Sequence, residues 1–315
     1  MILSVSRRTD IPNYYSEWFF NRIKEGYVDV RNPMNYHQVS RIELSPELID
    51  CIVFWTKNPE PMLPRLNELK EYNYYFQFTL TGYGKDIEPF LPHKRDRMIP
   101  IFKELSYKIG QDKVILRYDP IVFTEAYTME YHLNAFHEIV SELKSYSSKV
   151  IISYMDLYAK TKKNMREMAI IQPSIGEIME FSSKLAMIAK EHKMEIESCA
   201  ERYDLFRCGI RPSSCIDRHL IEKIIASTLN VDKDKNQREL CGCVESIDIG
   251  TYHTCLNGCK YCYANHSYEK VKENNILYDP NSSLLCSRIL EDDKISNKAI
   301  KSIKNIQYNM FDSIK

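Results

Sequence analysis

The stretch Ser246-Ile-Asp-Ile-Gly-Thr-Tyr-His-Thr-Cys255-Leu-Asn-Gly-Cys259-Lys-Tyr-Cys262-Tyr263 joins a short β-branched run to three cysteines spaced C-x3-C-x2-C. Residues 255–262 are called the cysteine loop below. Three thiolates on one loop can hold a single metal cluster from one side. On a 4Fe–4S cube they leave the fourth iron open, whereas electron carriers ligate all four irons with cysteine. Because an open iron can bind a small molecule, the spacing indicates more than electron transfer.

A structural zinc site is the alternative interpretation of the same cysteines. Zinc prefers C-x2–4-C pairs that are completed by a second pair or by histidines. Cys241-Gly-Cys243, His253 and His266 lie near enough in the sequence to complete such a site. The spacing favours a cluster, and zinc stays open at this point.

Composition and charge limit the possible partners. The 315 residues suffice for one large domain with a sizeable core. The 43 basic and 43 acidic residues balance to a formal charge of zero, so no global basic field indicates nucleic acid or an anionic membrane. No apolar run is long enough to span a bilayer, and the N-terminal arginines follow the short apolar run instead of preceding it, unlike a signal peptide. We therefore expect a cytoplasmic protein without a membrane partner.

The chain contains ten cysteines. Disulfides are rare in the reducing cytoplasm, so this number indicates metal binding or redox chemistry. Cys51 and Cys286 are expected to be buried structural cysteines.

Short β-branched or aromatic runs alternate along the chain with longer segments of helical period. The predicted strands are Ile2–Val5, Cys51–Trp55, Tyr74–Leu80, Lys113–Tyr118, Val150–Tyr154, Met194–Ser198 and Ser246–Ile249. The predicted helices are 14–25, 60–71, 94–109, 128–146, 174–192 and 217–229. This alternation predicts parallel βα units, and the continuous apolar runs predict a sheet that is covered on both faces.

The predicted fold class is therefore α/β, a parallel TIM-like (β/α) barrel that is partial or closed. We expect one domain over 1–315: barrel strands and helices in 1–230, the cluster strand and loop in 238–270, and C-terminal helices in 271–315. The segment from Gly26 to Pro46 is too long for a plain βα loop and is expected to form a small hairpin or lid. Residues 232–237 are predicted to form an exposed loop.

Polar and ionisable residues follow each predicted strand directly. They occupy 6–10, 56–58, 81–82, 117–120, 154–156, 199–201 and 248–251. Barrel enzymes keep their chemistry at the carboxyl ends of parallel strands. The sequence therefore predicts an active site at this edge of the sheet.

The cysteine loop, with Tyr261 before its third cysteine, resembles the cluster loop of the radical S-adenosylmethionine (SAM) superfamily. Arg8-Thr-Asp10, Phe54-Trp-Thr-Lys57 and Arg117-Tyr-Asp-Pro-Ile121 are similar, in that order, to strand-end motifs of the spore photoproduct lyase-like branch. The whole chain resembles an uncharacterised bacterial family, known as a domain of unknown function, with a radical-SAM-like cysteine cluster at its C-terminus. Since the cluster strand comes last here and first in ordinary radical SAM barrels, the chain resembles a circular permutation.

The resemblance implies a set of residue roles. Cys255, Cys259 and Cys262 would bind a 4Fe–4S cluster whose open iron chelates SAM. Lys57 would lie near the SAM carboxylate, and Thr9 and Asp10 near its ammonium or ribose hydroxyls.

Arg117 has two possible roles. Its fork of donors suits a carboxylate or phosphate of a ligand, and an internal ion pair with Asp119 is the alternative. Tyr118, Tyr154 and Tyr252 are candidates for the pocket wall, although the chain has 22 tyrosines and most of them must serve packing.

A second metal site is predicted from the remaining cysteines. Cys199, Cys215, Cys241 and Cys243, with Cys208 as a substitute, could converge on an auxiliary iron–sulfur cluster or on zinc. The ligands lie far apart in the sequence, so this prediction depends on the fold.

The resemblance implies an enzyme that cleaves SAM to a deoxyadenosyl radical and abstracts hydrogen from a substrate. A small-molecule substrate is favoured, because a DNA-binding enzyme normally has an excess of basic residues. A flavodoxin or ferredoxin would supply the electron. The alternatives are a non-catalytic iron–sulfur electron carrier or zinc protein, and a radical SAM lyase that acts on damaged DNA or another nucleic acid.

Overall fold

Parallel strands form the central sheet of the computed structural model, which describes residues 1–156, 161, 164–265 and 267–305. In chain order the strands are β1 (Ile2–Val5), β2 (Tyr27–Arg31), β3 (Gln38–Glu43), β4 (Cys51–Thr56), β5 (Tyr74–Thr79), β6 (Val114–Ile121), β7 (Phe123–Thr124), β8 (Lys149–Tyr154), β9 (Ile170–Ile171), β10 (Glu195–Cys199), β11 (Arg211–Ser213), β12 (Ile247–Asp248) and β13 (Lys294–Asn297). The central sheet has the order β11-β10-β8-β6-β5-β4-β1-β12. Every predicted strand is confirmed.

The position of β12 decides the topology. From β1 to β11 the strands lie across the sheet in chain order, but β12 lies beside β1, with Leu3 opposite Ile247 and Ser4 opposite Asp248. The strand before the cysteine loop thus lies at one edge of the sheet, beside the first strand of the chain. Within the described residues β11 and β12 each pair on one side only. The fold is an α/β fold with an open parallel sheet, and a closed barrel is not observed.

Both faces of the sheet are apolar, as the continuous strand runs predict. Alternate residues such as Leu3, Phe54 and Phe78 belong to one large core cluster that also contains aromatic side chains of the flanking helices. The residues between them, such as Val53 and Tyr75, belong to a second cluster. That second cluster is completed by side chains from the segment 215–244, which covers the opposite face of the sheet.

The helices lie close to their predicted positions. They are α1 (Ile11–Tyr14), α2 (Ser16–Glu25), α3 (Ile99–Ile109, after a π-helical turn Lys94–Met98), α4 (Met129–Leu143), α5 (Ile175–Glu191), α6 (Arg218–Ile225) and α7 (Tyr268–Asn275), with 3-10 segments at Glu60–Leu69, Gln111–Lys113 and Leu205–Cys208. Glu60–Leu69 is a 3-10 helix and not an α-helix; Pro64 inside it lacks the backbone donor that an i→i−4 hydrogen bond needs. In the described chain no helix is both long and apolar enough to cross a membrane.

The predicted hairpin is confirmed, whereas the predicted C-terminal helices are largely wrong. β2 and β3 are antiparallel, and β13 adds to the other side of β3 in parallel. Arg31 pairs with Asp293 at 2.6 Å and anchors this late segment to the hairpin. After α7 the described residues contain β13 and irregular backbone. This segment is polar and has no apolar stripe that would stabilise a helix against the core. As a strand it instead forms hydrogen bonds with the free edge of β3. Residues 306–315 lie outside the described part of the chain.

The segment 232–237 is only partly the exposed loop that was predicted. Lys233 forms a β-bridge with Val244, and Asp234 is 5% exposed. Asp234 also lies 3.6 Å from a guanidinium nitrogen of Arg7. The charged residues of this segment are therefore partly used inside the protein.

Candidate functional site

Asp248 fixes the start of the cysteine loop at the carboxyl edge of the sheet. Its carboxylate accepts hydrogen bonds from Ser6 Oγ at 2.6 Å and from the backbone N–H of Arg7 at 2.8 Å, both just beyond β1. Gly250 follows where a Cβ would lie 1.9 Å from Ser6 Oγ, so only glycine allows this approach. The loop therefore begins where polar residues follow the strands, as predicted.

Asn257 fixes the middle of the cysteine loop. It is 3% exposed, and its Nδ2 donates to Asp10 Oδ2 at 3.0 Å. Its Oδ1 accepts from Asn13 Nδ2 at 3.1 Å and from the Tyr14 hydroxyl at 3.0 Å. The side chain thus holds the loop against α1.

Asp10 joins the cysteine loop to the end of β4. Besides Asn257, its carboxylate accepts from Thr56 Oγ1 at 2.7 Å and from the Lys57 backbone N–H at 2.8 Å. Burial raises the pKa of Asp10, and these donors oppose the rise. With protein donors on both oxygens, Asp10 serves as an internal brace, and this geometry does not support the predicted contact with SAM.

Thr9 differs from its neighbour. It is 5% exposed, and its Oγ1 has no hydrogen-bond partner among the described residues. Buried hydroxyls are normally hydrogen-bonded. The Thr9 hydroxyl therefore keeps the capacity to bind a ligand group.

The three cysteines of the loop differ in exposure but interact with one another. Cys255 is buried, and Cys259 and Cys262 are half-buried. Burial raises the pKa of Cys259 to about 12, although Lys57 opposes the rise. A metal would have to displace protons from these thiols, so metal uptake should release protons.

Among the described residues the cysteine sulfurs are not gathered at the spacing of a zinc site. Ligands of a tetrahedral zinc ion with Zn–S bonds of about 2.3 Å lie about 3.8 Å apart. In the described chain no three cysteine sulfurs lie within 4.8 Å of one another. The donor set is three soft thiols on one braced loop, which suits an iron–sulfur cluster with one open iron.

A buried ion cluster lies against the cysteine loop. Lys57 Nζ donates to Glu88 Oε1 at 2.7 Å, and Tyr261 donates to the same oxygen. Thr81 Oγ1 donates to Glu88 Oε2 at 3.0 Å, and Lys94 also donates there. Burial raises the pKa of Glu88, but the two ammonium groups outweigh it and lower the pKa to about 2. Glu88 is therefore a carboxylate at neutral pH.

The ammonium group of Lys57 lies close enough to Cys259 to interact with it electrostatically. Burial alone would lower the pKa of Lys57, but the negative charges of Glu88 and Cys259 have the larger effect. The pKa of Lys57 is therefore raised, and the side chain stays protonated. Its Nζ lies 5.3 Å from the centre of the Tyr261 ring. The structure thus places Lys57 beside Tyr261 of the cysteine loop, and its role at a SAM carboxylate stays a prediction.

Sequence reasoning missed Glu88 and Lys94. Both follow β5 in a segment without a distinctive motif, and Glu88 is followed by Pro89. Two cues point to the existence of such residues: polar residues follow the strand ends, and Lys57 needs an anion once it is buried. Neither cue identifies the partner without the fold.

Arg117 is engaged by other groups of the protein. Its Nη2 pairs with Asp119 Oδ2 at 2.5 Å, which confirms the alternative prediction of an ion pair. Its Nη1 donates to Cys215 Sγ at 2.8 Å. Arg117 is 4% exposed, and its donors are used by the protein.

A second carboxylate, Glu201, follows β10 at the same edge of the sheet. Burial raises its pKa to about 8, opposed by the Tyr154 backbone N–H that donates to it at 2.6 Å. Asp119, which accepts from Ser153, contributes to the rise. A carboxyl group with this pKa can hold or release a proton near neutral pH.

The predicted pocket tyrosines have different positions. Tyr118 is 1% exposed, and its hydroxyl contacts His132 Nδ1 at 2.8 Å, so it belongs to the core. Tyr154 bonds Ser182 at 2.6 Å. Tyr252 is 36% exposed and lies under the Arg8 guanidinium, 5.1 Å away. Of the three, Tyr252 is the most accessible.

The five cysteines considered for a second metal site separate into two groups. One group belongs to the second core cluster, on the face of the sheet that segment 215–244 covers and that is called the inner face below. Its members are Cys199, Cys215, Cys241 and Cys243. Cys208 bonds the Met179 carbonyl oxygen at 3.3 Å in the other core cluster. The zinc alternative assigned Cys241 and Cys243 to the cysteine loop, but the fold brings them to Cys215. His266, one of its two candidate histidines, lies outside the described residues.

Comparison with known proteins gives one match. A family model described as a domain of unknown function (DUF1848) matches residues 2–264. No curated protein matches the chain, and no solved structure matches it.

Proposed function

The chain belongs to the DUF1848 family, and we propose that it is an iron–sulfur enzyme that binds and reductively cleaves SAM. The observation that carries the proposal is the position of the cysteine loop. Three thiols follow β12 at the carboxyl edge of a parallel sheet, beside the end of β1. Enzymes with parallel sheets place their reactive groups at this edge.

The three thiols of the cysteine loop can ligate three irons of one cluster and leave the fourth iron without a protein ligand. Cys255, Cys259 and Cys262 would hold a 4Fe–4S cluster, and its open iron would bind SAM and supply the electron that cleaves SAM to a deoxyadenosyl radical. Asn257 and Asp10 would keep the loop in place through their hydrogen bond at 3.0 Å.

Lys57 is the proposed cation for the SAM carboxylate. It is 13% exposed and already interacts electrostatically with Cys259. Glu88 keeps it protonated, and Tyr261 holds Glu88 from the other side. A protonated ammonium in a site of restricted solvent access attracts a carboxylate more strongly than it would in water. Thr9 Oγ1 is the proposed polar contact for the ammonium or ribose of SAM.

A small substrate is favoured over nucleic acid. The formal charge is zero, whereas proteins that bind nucleic acid through phosphates normally carry excess lysine and arginine. Glu201 would serve as a proton donor or acceptor beside such a substrate, because its pKa is about 8. A flavodoxin or ferredoxin is the proposed class of electron donor.

Anaerobic reconstitution tests the proposal. Wild-type protein treated with iron and sulfide should acquire about four irons at the loop and bind SAM. Cys259→Ala should lose both properties, while the matched control Cys208→Ala, a buried cysteine against Met179, should keep them. A well-formed loop cluster that does not bind SAM would support a non-catalytic electron carrier and contradict the proposal.

A further inference from the structure

Four cysteines from three segments meet on the inner face of the sheet. Cys199 ends β10, Cys215 follows β11, and Cys241 and Cys243 flank Gly242 shortly before β12. They are called the four-cysteine cluster below. All four are buried.

Each thiol of the four-cysteine cluster interacts with the next, in the order Cys199, Cys215, Cys243 and Cys241. Cys199 Sγ lies 3.0 Å from Cys215 Sγ. The Cys243 thiol interacts with the thiols of both Cys215 and Cys241. The 3.0 Å separation is longer than a disulfide bond of about 2.05 Å, and all four thiols are free.

Cations and N–H donors surround these sulfurs. Arg117 Nη1 donates to Cys215 Sγ at 2.8 Å, and the Ile216 backbone N–H donates to Cys243 Sγ at 3.3 Å. The guanidinium of Arg7 interacts electrostatically with Cys243. Each guanidinium also has a carboxylate partner: Arg117 pairs with Asp119, and Arg7 lies near Asp248. The N–H donors would hydrogen-bond the sulfurs as thiolates once a bound metal displaced the thiol protons.

The backbone also positions the cluster. Tyr75 and Gln77, neighbours on the inner face of β5, both donate to the Cys215 carbonyl oxygen, at 2.7 Å and 2.8 Å. Gly242 lies where a Cβ would be 2.5 Å from Ser214 Oγ. A glycine between Cys241 and Cys243 therefore lets the two chain segments approach each other.

We propose that the four-cysteine cluster is a second metal centre, distinct from the cysteine loop, that binds a thiophilic metal as a tetrathiolate. Zinc and an iron–sulfur cluster share this ligand chemistry. Arg117 and the Ile216 N–H would stabilise the negative charge of the thiolates by charge-assisted hydrogen bonds. The sulfurs form an extended chain, with no three within 4.8 Å of one another among the described residues, so either metal would draw them together on binding.

Metal analysis of a loop variant tests this proposal independently of SAM cleavage. Cys255→Ser/Cys259→Ser/Cys262→Ser removes every thiol of the cysteine loop, so any metal that remains belongs elsewhere. Purified anaerobically, this variant should retain about one zinc or two to four irons per chain. Zinc would identify a mononuclear site, and iron with stoichiometric sulfide a cluster. A folded loop variant without bound metal would overturn the proposal.

The complementary variant is Cys241→Ser/Cys243→Ser on the wild-type loop. It should lose the same amount of metal that the loop variant keeps, while Cys208→Ser loses none. Retention of the full metal content would overturn the proposal.

Alkylation of the wild-type protein covers the case in which the double variant does not fold. Cys241 lies at one end of the row of four sulfur atoms. Iodoacetamide should label it at least about tenfold faster after a chelator removes the metal, because a metal-bound thiolate is protected from alkylation. Equal labelling with and without the chelator would contradict the proposal.

Discussion

Asn257 Nδ2 donates a hydrogen bond to Asp10 Oδ2 at 3.0 Å, and this contact joins the cysteine loop to the other end of the chain. The same carboxylate accepts from Thr56 at the end of β4. One buried acid thus fixes the loop, the residues after β1 and the residues after β4. We expect the geometry of the proposed cluster site to depend on it.

Replacement of Asn257 by alanine should loosen the loop. The change removes one donor from the buried Asp10 carboxylate and should lower the free energy of unfolding by about 1–3 kcal/mol. Urea denaturation measures this loss, and iron uptake should fall with it. Asn35→Ala in the exposed hairpin turn is the matched control and should change neither quantity. Equal stability of the two variants would show that the brace is unimportant.

Replacement of Gly258 by alanine should also disturb the loop. Gly258 has φ +68°, and a Cβ there would lie 2.6 Å from the Phe90 ring. The left-handed backbone alone costs a non-glycine residue about 1–2 kcal/mol, so we expect a lower unfolding midpoint and weaker iron binding. Gly176→Ala in α5, where the nearest atom is 4.0 Å away, should leave the protein as stable or slightly more stable. A normal iron content in Gly258→Ala would contradict this account.

Replacement of Lys57 by alanine should weaken SAM binding by about tenfold or more, equivalent to about 1.4 kcal/mol. The reason is the loss of the proposed cation for the SAM carboxylate. Isothermal titration of the anaerobic, reconstituted protein measures the affinity. Lys94→Ala removes the other ammonium from Glu88 and should weaken binding by less than about threefold. If both variants lose the same affinity, Lys57 acts only through Glu88.

Glu88 should make stability depend on acid pH. Its pKa is lowered from the ordinary value of 4.5 to about 2. Below pH 4.5 the unfolded chain therefore binds a proton that the folded protein refuses, so the stabilising contribution is complete above pH 4.5 and is lost as the pH falls to 2. The loss amounts to at most about 3 kcal/mol.

Glu88→Gln tests this pH dependence. The variant should be less stable at neutral pH, because Lys57 and Lys94 lose their buried anion. Its free energy of unfolding should also fall less steeply between pH 4.5 and 2 than that of wild type, as urea titrations at several pH values would show. Glu273→Gln, an exposed carboxylate paired with Lys270, should keep the wild-type slope. Identical slopes in all three proteins would rule out Glu88 as the source.

The sequence predicts the central sheet well because its strands are strong local signals. Val53 and Phe54 lie in continuous apolar runs that require cover on both faces, and each run is a strand in the structure. β11 was missed because it has three residues, includes Pro212 and is mostly exposed. β13 was missed because its pairing with β3 depends on an edge that is distant in sequence.

The site was predicted in part for the same physical reasons. The spacing of Cys255, Cys259 and Cys262 is local and can be read directly. Glu88 could not be found, because its importance comes from Lys57 and Tyr261, which reach it from other segments. The use of Asp10 as a brace likewise depends on Asn257, which lies 247 positions away.

Reductive cleavage of SAM tests the central proposal most directly. The reconstituted protein is reduced with dithionite, given SAM and analysed for 5′-deoxyadenosine. We predict product formation in wild type and in Cys208→Ala, and none in Cys259→Ala. A complete cluster at the cysteine loop that yields no 5′-deoxyadenosine in wild type would contradict the proposed function.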